Sequence, residues 1–128
     1  MIDKQELIEK LKDVATIEFQ ALEEDTPVRG NAMDGGDGAL DKQVEDEIIA
    51  RLNRCDIYSW FIAKVTARYG FFSGRDYLGG CSYDSEEQFK ISGYYEDMRD
   101  AAIADLAQQI IETHYQVSVT LDALKVNV

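Results

Sequence analysis

The residues of this chain that most resemble a chemical site lie in RDYLGGCSYDSEEQF, residues 75–89, where Cys81 follows two glycines and an acidic run comes next. A catalytic cysteine reacts as its thiolate, which needs a neighbouring base or a positive field. The only histidine, His114, has no spacing that requires it to approach Cys81, and the acids around Cys81 oppose thiolate formation. We therefore expect Cys81 to be a small buried side chain, and we assign no catalytic residue.

The pair Gly79–Gly80 also invites comparison with phosphate-binding loops. It lacks the Lys-Ser/Thr of a P-loop and the spaced glycines of a dinucleotide-binding turn, and its acidic neighbours repel phosphate. Glycines also occur at turns and β-bulges, where a residue has a positive φ or another part of the backbone packs closely. We predict such a turn or bulge here, and no bound cofactor.

A third candidate is a metal site in MDGGDGALDKQVE, which offers Asp34, Asp37, Asp41 and Glu45. An EF-hand loop needs acidic ligands at positions one, three, five and twelve and glycine at six. Counted from Asp34, only the first position and Glu45 at the twelfth fit. We predict no metal ligand, with Asp41 capping the next helix, and a looser calcium site stays open as an alternative. The two cysteines and one histidine have no zinc-ligand spacing.

The composition limits the class of partner. The chain has 128 residues, which suits one domain over 1–128, with 25 acids, 13 bases and a net charge of −12. Small domains more often carry a charge of about 2–8 in magnitude. A field this negative opposes binding to nucleic acid or an anionic membrane and favours a basic protein partner.

The N-terminal segment is charged, and no apolar run reaches the roughly 20 residues of a membrane span. We expect a cytoplasmic protein with free thiols.

Helical periodicity predicts a first helix over residues 3–24, capped by Asp3 with Glu6 three residues later. Residues 26–41 contain the only proline and four glycines, which predicts an irregular, Gly-rich acidic loop. A second helix is expected over residues 42–54.

Residues 57–69 alternate between apolar and polar side chains, which predicts a strand. A turn at 70–74 and a returning strand at 76–83 should follow. Asp84 is placed to cap a short helix, with Glu87 in the capping-box position.

Residues 93–114 predict a long helix with Met98, Ala102 and Leu106 on its inner face, and residues 116–126 alternate again as a third strand. The order predicts an α+β fold: a small, mainly antiparallel sheet of about three strands packed against two long helices and one or two shorter ones.

Acids are concentrated between residues 76 and 105, where eight acids accompany two bases. An exposed acidic face can imitate a phosphate backbone and associate quickly with a basic channel, whereas a merely solvated surface needs no partner. The candidate partner-binding residues are Asp84, Glu86, Glu87, Glu96, Asp97 and Asp100. A second candidate patch consists of Glu45, Asp46 and Glu47.

Three stretches, RGNAMDGGDGALD (29–41), LGGCSYDSEEQF (78–89) and GYYEDM (93–98), resemble a group of small acidic proteins encoded in bacteriophages, prophages and plasmids. The similarity covers about residues 27–107. It assigns no activity to any residue. Small phage accessory proteins often inhibit host defence, and several such inhibitors are acidic mimics of nucleic acid.

We therefore expect a non-enzymatic inhibitor of phage or mobile-element type, a monomer or homodimer in the bacterial cytoplasm. Its acidic face would block a basic, nucleic-acid-binding defence protein of the CRISPR or restriction class. Two alternatives remain open. One is a small enzyme or a calcium- or ligand-binding domain built on the 29–41 loop and the Gly79–Gly80–Cys81 turn. The other is a structural or assembly protein of a phage particle.

Overall fold

A computed structural model describes residues 1–32 and 38–127 of the chain. In chain order, the elements within these residues are α1 (Lys4–Val14), β1 (Thr16–Glu23), α2 (Gly38–Asn53), a 3-10 helix (Ile57–Ser59), β2 (Phe61–Tyr69), β3 (Phe72–Cys81), α3 (Glu86–Lys90) and α4 (Gly93–Ala123). The three strands form an antiparallel sheet in the order β1-β2-β3. The predicted α+β class is therefore confirmed.

The central strand β2 lies within the segment whose alternation predicts a strand. Its inward-facing side chains are fully buried: Phe61, Ala63, Val65 and Ala67. Alternation identifies this face because successive side chains of a strand point to opposite sides of the sheet. Two residues depart from the expected pattern, since Tyr69 is half exposed and Thr66 is buried. The strand begins at Phe61 because the preceding residues form the 3-10 helix, whose N-cap is Asp56.

A tight hairpin joins β2 to β3 through Gly70 and Phe71. Gly70 has a φ of +59°, which suits the first central position of a two-residue hairpin turn. The predicted turn over 70–74 is thus too long, because β3 already begins at Phe72. Gly74 lies inside β3 and is buried.

The first predicted helix is wrong in its second half. Asp3 caps α1 as expected, with its Oδ1 accepting hydrogen bonds from the N–H groups of Gln5 and Glu6. The helix ends at Val14, and Thr16–Glu23 forms β1. Apolar residues here satisfy helical spacing and strand alternation at once, and side-chain packing decides between them: the Phe19 ring stacks on the Phe89 ring at 5.3 Å.

The predicted strand over residues 116–126 is also wrong, because α4 continues through Ala123. β-Branched residues have only a modest intrinsic cost in a helix, and a helix that has already formed gains one hydrogen bond for each added residue. The third strand of the sheet is β1 instead.

α2 and α3 differ from expectation in their limits and in their caps, and Asp41, expected to cap α2, lies in its first turn instead. α2 begins at Gly38, four residues earlier than the expected start at Lys42. The N-cap of α3 is Ser85, not Asp84, and the Ser85 hydroxyl accepts the N–H of Gln88 at 3.2 Å.

The chain divides into two compact units. The first unit contains Met1–Glu18, Val65–Asp76 and Arg99–Val128, and the second unit contains Phe19–Lys64 and Tyr77–Met98. In the first unit, α4 packs against β3 so closely that Gly74 has no room for a side chain beside Ala102 and Leu106.

The second unit has an aromatic core around Phe89, which is fully buried. Its ring lies 5.0 Å from that of Tyr83, 5.7 Å from Phe61 and 6.2 Å from Tyr95, all edge to face. A separate cluster joins Val28, Ile48 and Trp60.

Candidate functional site

Five acids of the second unit lie between the end of β3 and the first turns of α4. We call them the acidic surface: Asp84, Glu86, Glu87, Glu96 and Asp97. Four of them are exposed and Glu86 is half-buried. Only residues 91 and 92 separate α3 from α4, so the chain places these carboxylates close together in sequence. Asp100, one turn further along α4, is exposed as well.

The position of the acidic surface is set by polar contacts at its base. Arg51 donates to the Tyr83 carbonyl at 2.7 Å and to Asp56 at 2.9 Å, which joins the end of α2 to the segment after β3. Its Nη1 is 3.9 Å from Asp84, whose side chain is 92% exposed. At that exposure the ion pair contributes little to stability, and the Asp84 carboxylate faces solvent.

Glu86 is the best-compensated member of the acidic surface. Lys90 Nζ lies 3.4 Å from its carboxylate and also above the rings of Phe19 and Tyr95. The Tyr58 hydroxyl donates to Glu86 at 3.4 Å. Burial, and then the charge of Glu86, raise the pKa of Tyr58, so the phenol stays protonated and remains a donor.

The charge of the molecule is unevenly divided between the two units. The second unit contains 15 acids and 6 bases, which gives −9 of the total −12. The unit that carries the acidic surface therefore also carries most of the net negative charge.

The expected second patch loses one member, because Glu45 is turned inward and is only 7% exposed. Its Oε2 accepts the N–H of Gly30 at 2.6 Å, and its Oε1 lies 3.6 Å from Arg29. Asp46 also pairs with Arg29. Glu45 thus stabilises the protein's own loop, and Glu47 alone is exposed without one of these contacts.

The Gly79–Gly80 segment binds an anion that belongs to the protein itself. The N–H of Gly80 donates to Glu24 Oε2 at 2.7 Å, and the N–H of Thr26 donates to Glu24 Oε1 at 3.0 Å. Gly80 has a φ of +66°, and a Cβ on Gly79 would lie 2.9 Å from the same Oε2. The positive φ expected here occurs at Gly80, but the expected turn does not, because both glycines lie within β3, and the close neighbour of Gly79 is a side chain and not backbone.

These two backbone donors, that of Gly80 first, lower the pKa of Glu24 below its ordinary value of 4.5. Hydrogen bonding to the charged form favours that form. Nothing in the composition points to Glu24, since its partner lies 56 residues away.

Replacing Glu24 with glutamine should lower the free energy of unfolding by about 1–2 kcal/mol at neutral pH, because the single amide oxygen can accept only one of the two N–H groups and that hydrogen bond is no longer charge-assisted. The wild-type advantage should be complete above pH 4.5 and disappear as the pH falls through the lowered folded-state pKa. Urea unfolding of both proteins across this range measures the difference. Exposed Glu23 is the matched control, and an equal effect of Glu23→Gln would contradict the assignment.

Cys81 is buried, and its Sγ donates to the Leu78 carbonyl at 3.2 Å. Burial raises the pKa of this thiol, and the charge of Glu24 raises it further. The thiol is therefore protonated at neutral pH, the state opposite to the one a nucleophile needs. The second cysteine, Cys55, is exposed, and both are free thiols.

Trp60 contacts both the segment after β1 and the Gly79–Gly80 pair near the end of β3. Its indole N–H donates to the Thr26 carbonyl at 2.7 Å, and its ring is 4% exposed. A Cβ on Gly80 would lie 3.5 Å from this ring. A buried indole needs an acceptor for its N–H, and that requirement is the only sequence signal for this contact.

An open groove of about 480 Å³ passes beside Trp60. Its walls are mainly apolar and aromatic and include Val44, Ile48, Tyr83 and Tyr94. The exposed ring of Tyr94 also lines this groove.

The calcium alternative lies partly outside the described residues, because Asp34 and Asp37 are not among them. Within residues 1–32 and 38–127, no three histidine, cysteine or acidic side chains are arranged to hold a metal ion. Glu45, the twelfth position of the proposed loop, already binds Gly30 and Arg29.

Family models, curated proteins and solved structures were each compared with the chain, and none of the three comparisons gives a match. Among the described residues, no helix combines the length and the apolar character needed to cross a membrane.

Proposed function

We propose that this chain is a non-enzymatic inhibitor that uses the acidic surface to occupy a basic, nucleic-acid-binding surface of a host defence protein. The observation that carries the proposal is the acidic surface, four of whose five carboxylates are exposed, within a unit of net charge −9. Carboxylates presented from a folded scaffold are already positioned before binding, so they lose little entropy on association.

The resemblance to small acidic proteins of phages, prophages and plasmids supports the same proposal. Small phage accessory proteins often inhibit host defence, and the nucleic-acid channels of such defence complexes are lined by lysine and arginine. A rigid acidic protein competes for such a channel through the attraction that normally holds phosphates. Complementary charge of this sort mainly increases the association rate and makes it sensitive to salt.

The proposal predicts the effect of neutralising the acidic surface. A variant carrying Asp84→Asn, Glu86→Gln, Glu87→Gln, Glu96→Gln and Asp97→Asn should bind its partner with an association rate reduced by about tenfold or more at low salt. Immobilised wild-type protein would first capture partners from a bacterial lysate. The captured basic protein, once purified, would then serve for rate measurements at several salt concentrations.

A matched control changes the net charge by the same amount elsewhere. It neutralises five exposed acids of the first unit: Glu6, Glu9, Asp13, Glu112 and Asp122. This control should keep most of the association rate, and a DNA duplex should compete with the wild-type protein for the partner. Capture that is unaffected by salt, by the five surface substitutions and by DNA would contradict the proposal.

A further inference from the structure

The C-terminal half of α4 has an apolar side that the rest of the first unit leaves uncovered. Every residue from Glu112 to Thr120 is exposed. Tyr115 is 63% exposed and Val117 51% exposed, although both are large apolar side chains. The segment is helical through Ala123, and the N–H of Leu124 still bonds to the Thr120 carbonyl at 3.0 Å.

The apolar residues of this segment continue the buried face of the same helix. Together with the polar His114, they follow alternating steps of four and three residues, the spacing of a helix pair: Ile103, Ala107, Ile110, His114, Val117, Leu121 and Leu124. Ile103 and Ala107 are buried in the first unit, whereas Val117 and Leu124 are at least half exposed. We call Ile110, His114, Val117 and Leu121 the C-terminal stripe.

Intrinsic helix propensity is lower in this segment than in the rest of α4. Four β-branched residues occur between Glu112 and Ala123: Thr113, Val117, Val119 and Thr120. The segment is helical as the continuation of α4, and burial of the C-terminal stripe against a second helix would stabilise it further.

The charges around the stripe favour a second copy of this chain as that partner. Like charges beside the contact line are what normally oppose the pairing of identical helices. Here Ile111 and Ser118 lie on one flank and Thr113 and Thr120 on the other, so the flanks carry no charge. Glu112 lies on the opposite face of the helix. The stripe is thus a surface on which two chains of net charge −12 meet without direct repulsion.

We propose that two copies of the chain associate through their C-terminal stripes as an antiparallel helix pair. In this arrangement Ile110 faces Leu121 of the second copy and His114 faces its Val117. A parallel pair would instead place His114 against its own copy and align the dipoles of the two helices, which is less favourable than the opposed dipoles of an antiparallel pair. The overlap from Ile110 to Leu121 is only about 16 Å long, so we expect a dimer that depends on concentration in roughly the micromolar range.

Sedimentation velocity across a concentration series tests the proposal with two matched valine substitutions on one exposed helix. Val117→Asp, in the stripe, should raise the dimer dissociation constant by more than about tenfold, because it buries a carboxylate in each copy. Val119→Asp, on the opposite face and 43% exposed in the wild type, should leave the dimer intact. Fluorescence of Trp60, the only tryptophan, checks that both variants fold.

The orientation is tested by disulfide formation in a Cys55→Ser background, which removes the exposed native thiol. The double variant Ile110→Cys/Leu121→Cys should form covalent dimers on oxidation. Leu121→Cys alone should not, because the two sulfurs would be about 16 Å apart along the helix axis. A wild-type protein that is monomeric at every concentration, equal effects of the two aspartate substitutions, or efficient cross-linking of Leu121→Cys alone would overturn the proposal. None of these outcomes bears on the acidic surface.

Discussion

Replacing Gly74 with alanine is expected to destabilise the protein by about 3 kcal/mol or more. A Cβ at this position would lie 2.7 Å from the Leu106 Cα, and closer still to the Leu106 nitrogen and the Ala102 oxygen. All three are backbone atoms of α4, so no side-chain rotation relieves the overlap. The strand or the helix must move, and the buried contacts between β3 and α4 are lost with that movement.

Gly93→Ala is the matched control for Gly74→Ala. Gly93 is the first residue of α4, and a Cβ there meets nothing within 4 Å. Alanine is the better helix former, so this variant should be as stable as the wild type or slightly more stable. Thermal unfolding followed by circular dichroism compares the two variants. A Gly74→Ala protein that melts within a few degrees of the wild type would show that β3 and α4 do not pack as described.

Replacing Phe89 with alanine is expected to lower the free energy of unfolding by about 3–5 kcal/mol. Phe89 is fully buried, and its ring contacts four other aromatic rings: Phe19, Phe61, Tyr83 and Tyr95. Truncation removes apolar burial and leaves a cavity among rigid rings that cannot easily collapse into it. The edge-to-face geometry of three of these contacts adds to the loss.

Phe71→Ala makes the same chemical change at a position where burial is lacking. Phe71 lies at the tip of the β2–β3 hairpin and is fully exposed. Its truncation should change stability by less than about 0.5 kcal/mol. Urea unfolding of the two variants measures the difference, and comparable losses would refute the central role assigned to Phe89.

The fold was predictable where one periodicity excluded the other. In β2, residues of alternating polarity fit a strand and no helix face, and the prediction is confirmed. In β1, the same apolar residues fit both patterns, and only the contact of Phe19 with a residue 70 positions away selects the strand. In residues 116–123, alternation favours a strand, yet the helix that begins at Gly93 extends through them.

The candidate site was predictable in its charge and not in its contacts. Glu87, Glu96 and Asp97 are exposed, as expected for acids in α3 and in the first turns of α4, where acidic residues are frequent. The inward turn of Glu45 depends on Gly30 and Arg29, which precede it by 15 and 16 positions in a loop of no regular pattern. Tertiary hydrogen bonds of this kind leave no periodic signal in a sequence.

The carboxylate held by Gly80 has a consequence for small ions. Free phosphate or sulfate would have to displace a ligand that is part of the same polypeptide and is therefore present at a local concentration in the millimolar range or above. The hydrogen bond from Gly80 to Glu24 therefore links the end of edge strand β3 to the residues that follow β1, the other edge strand.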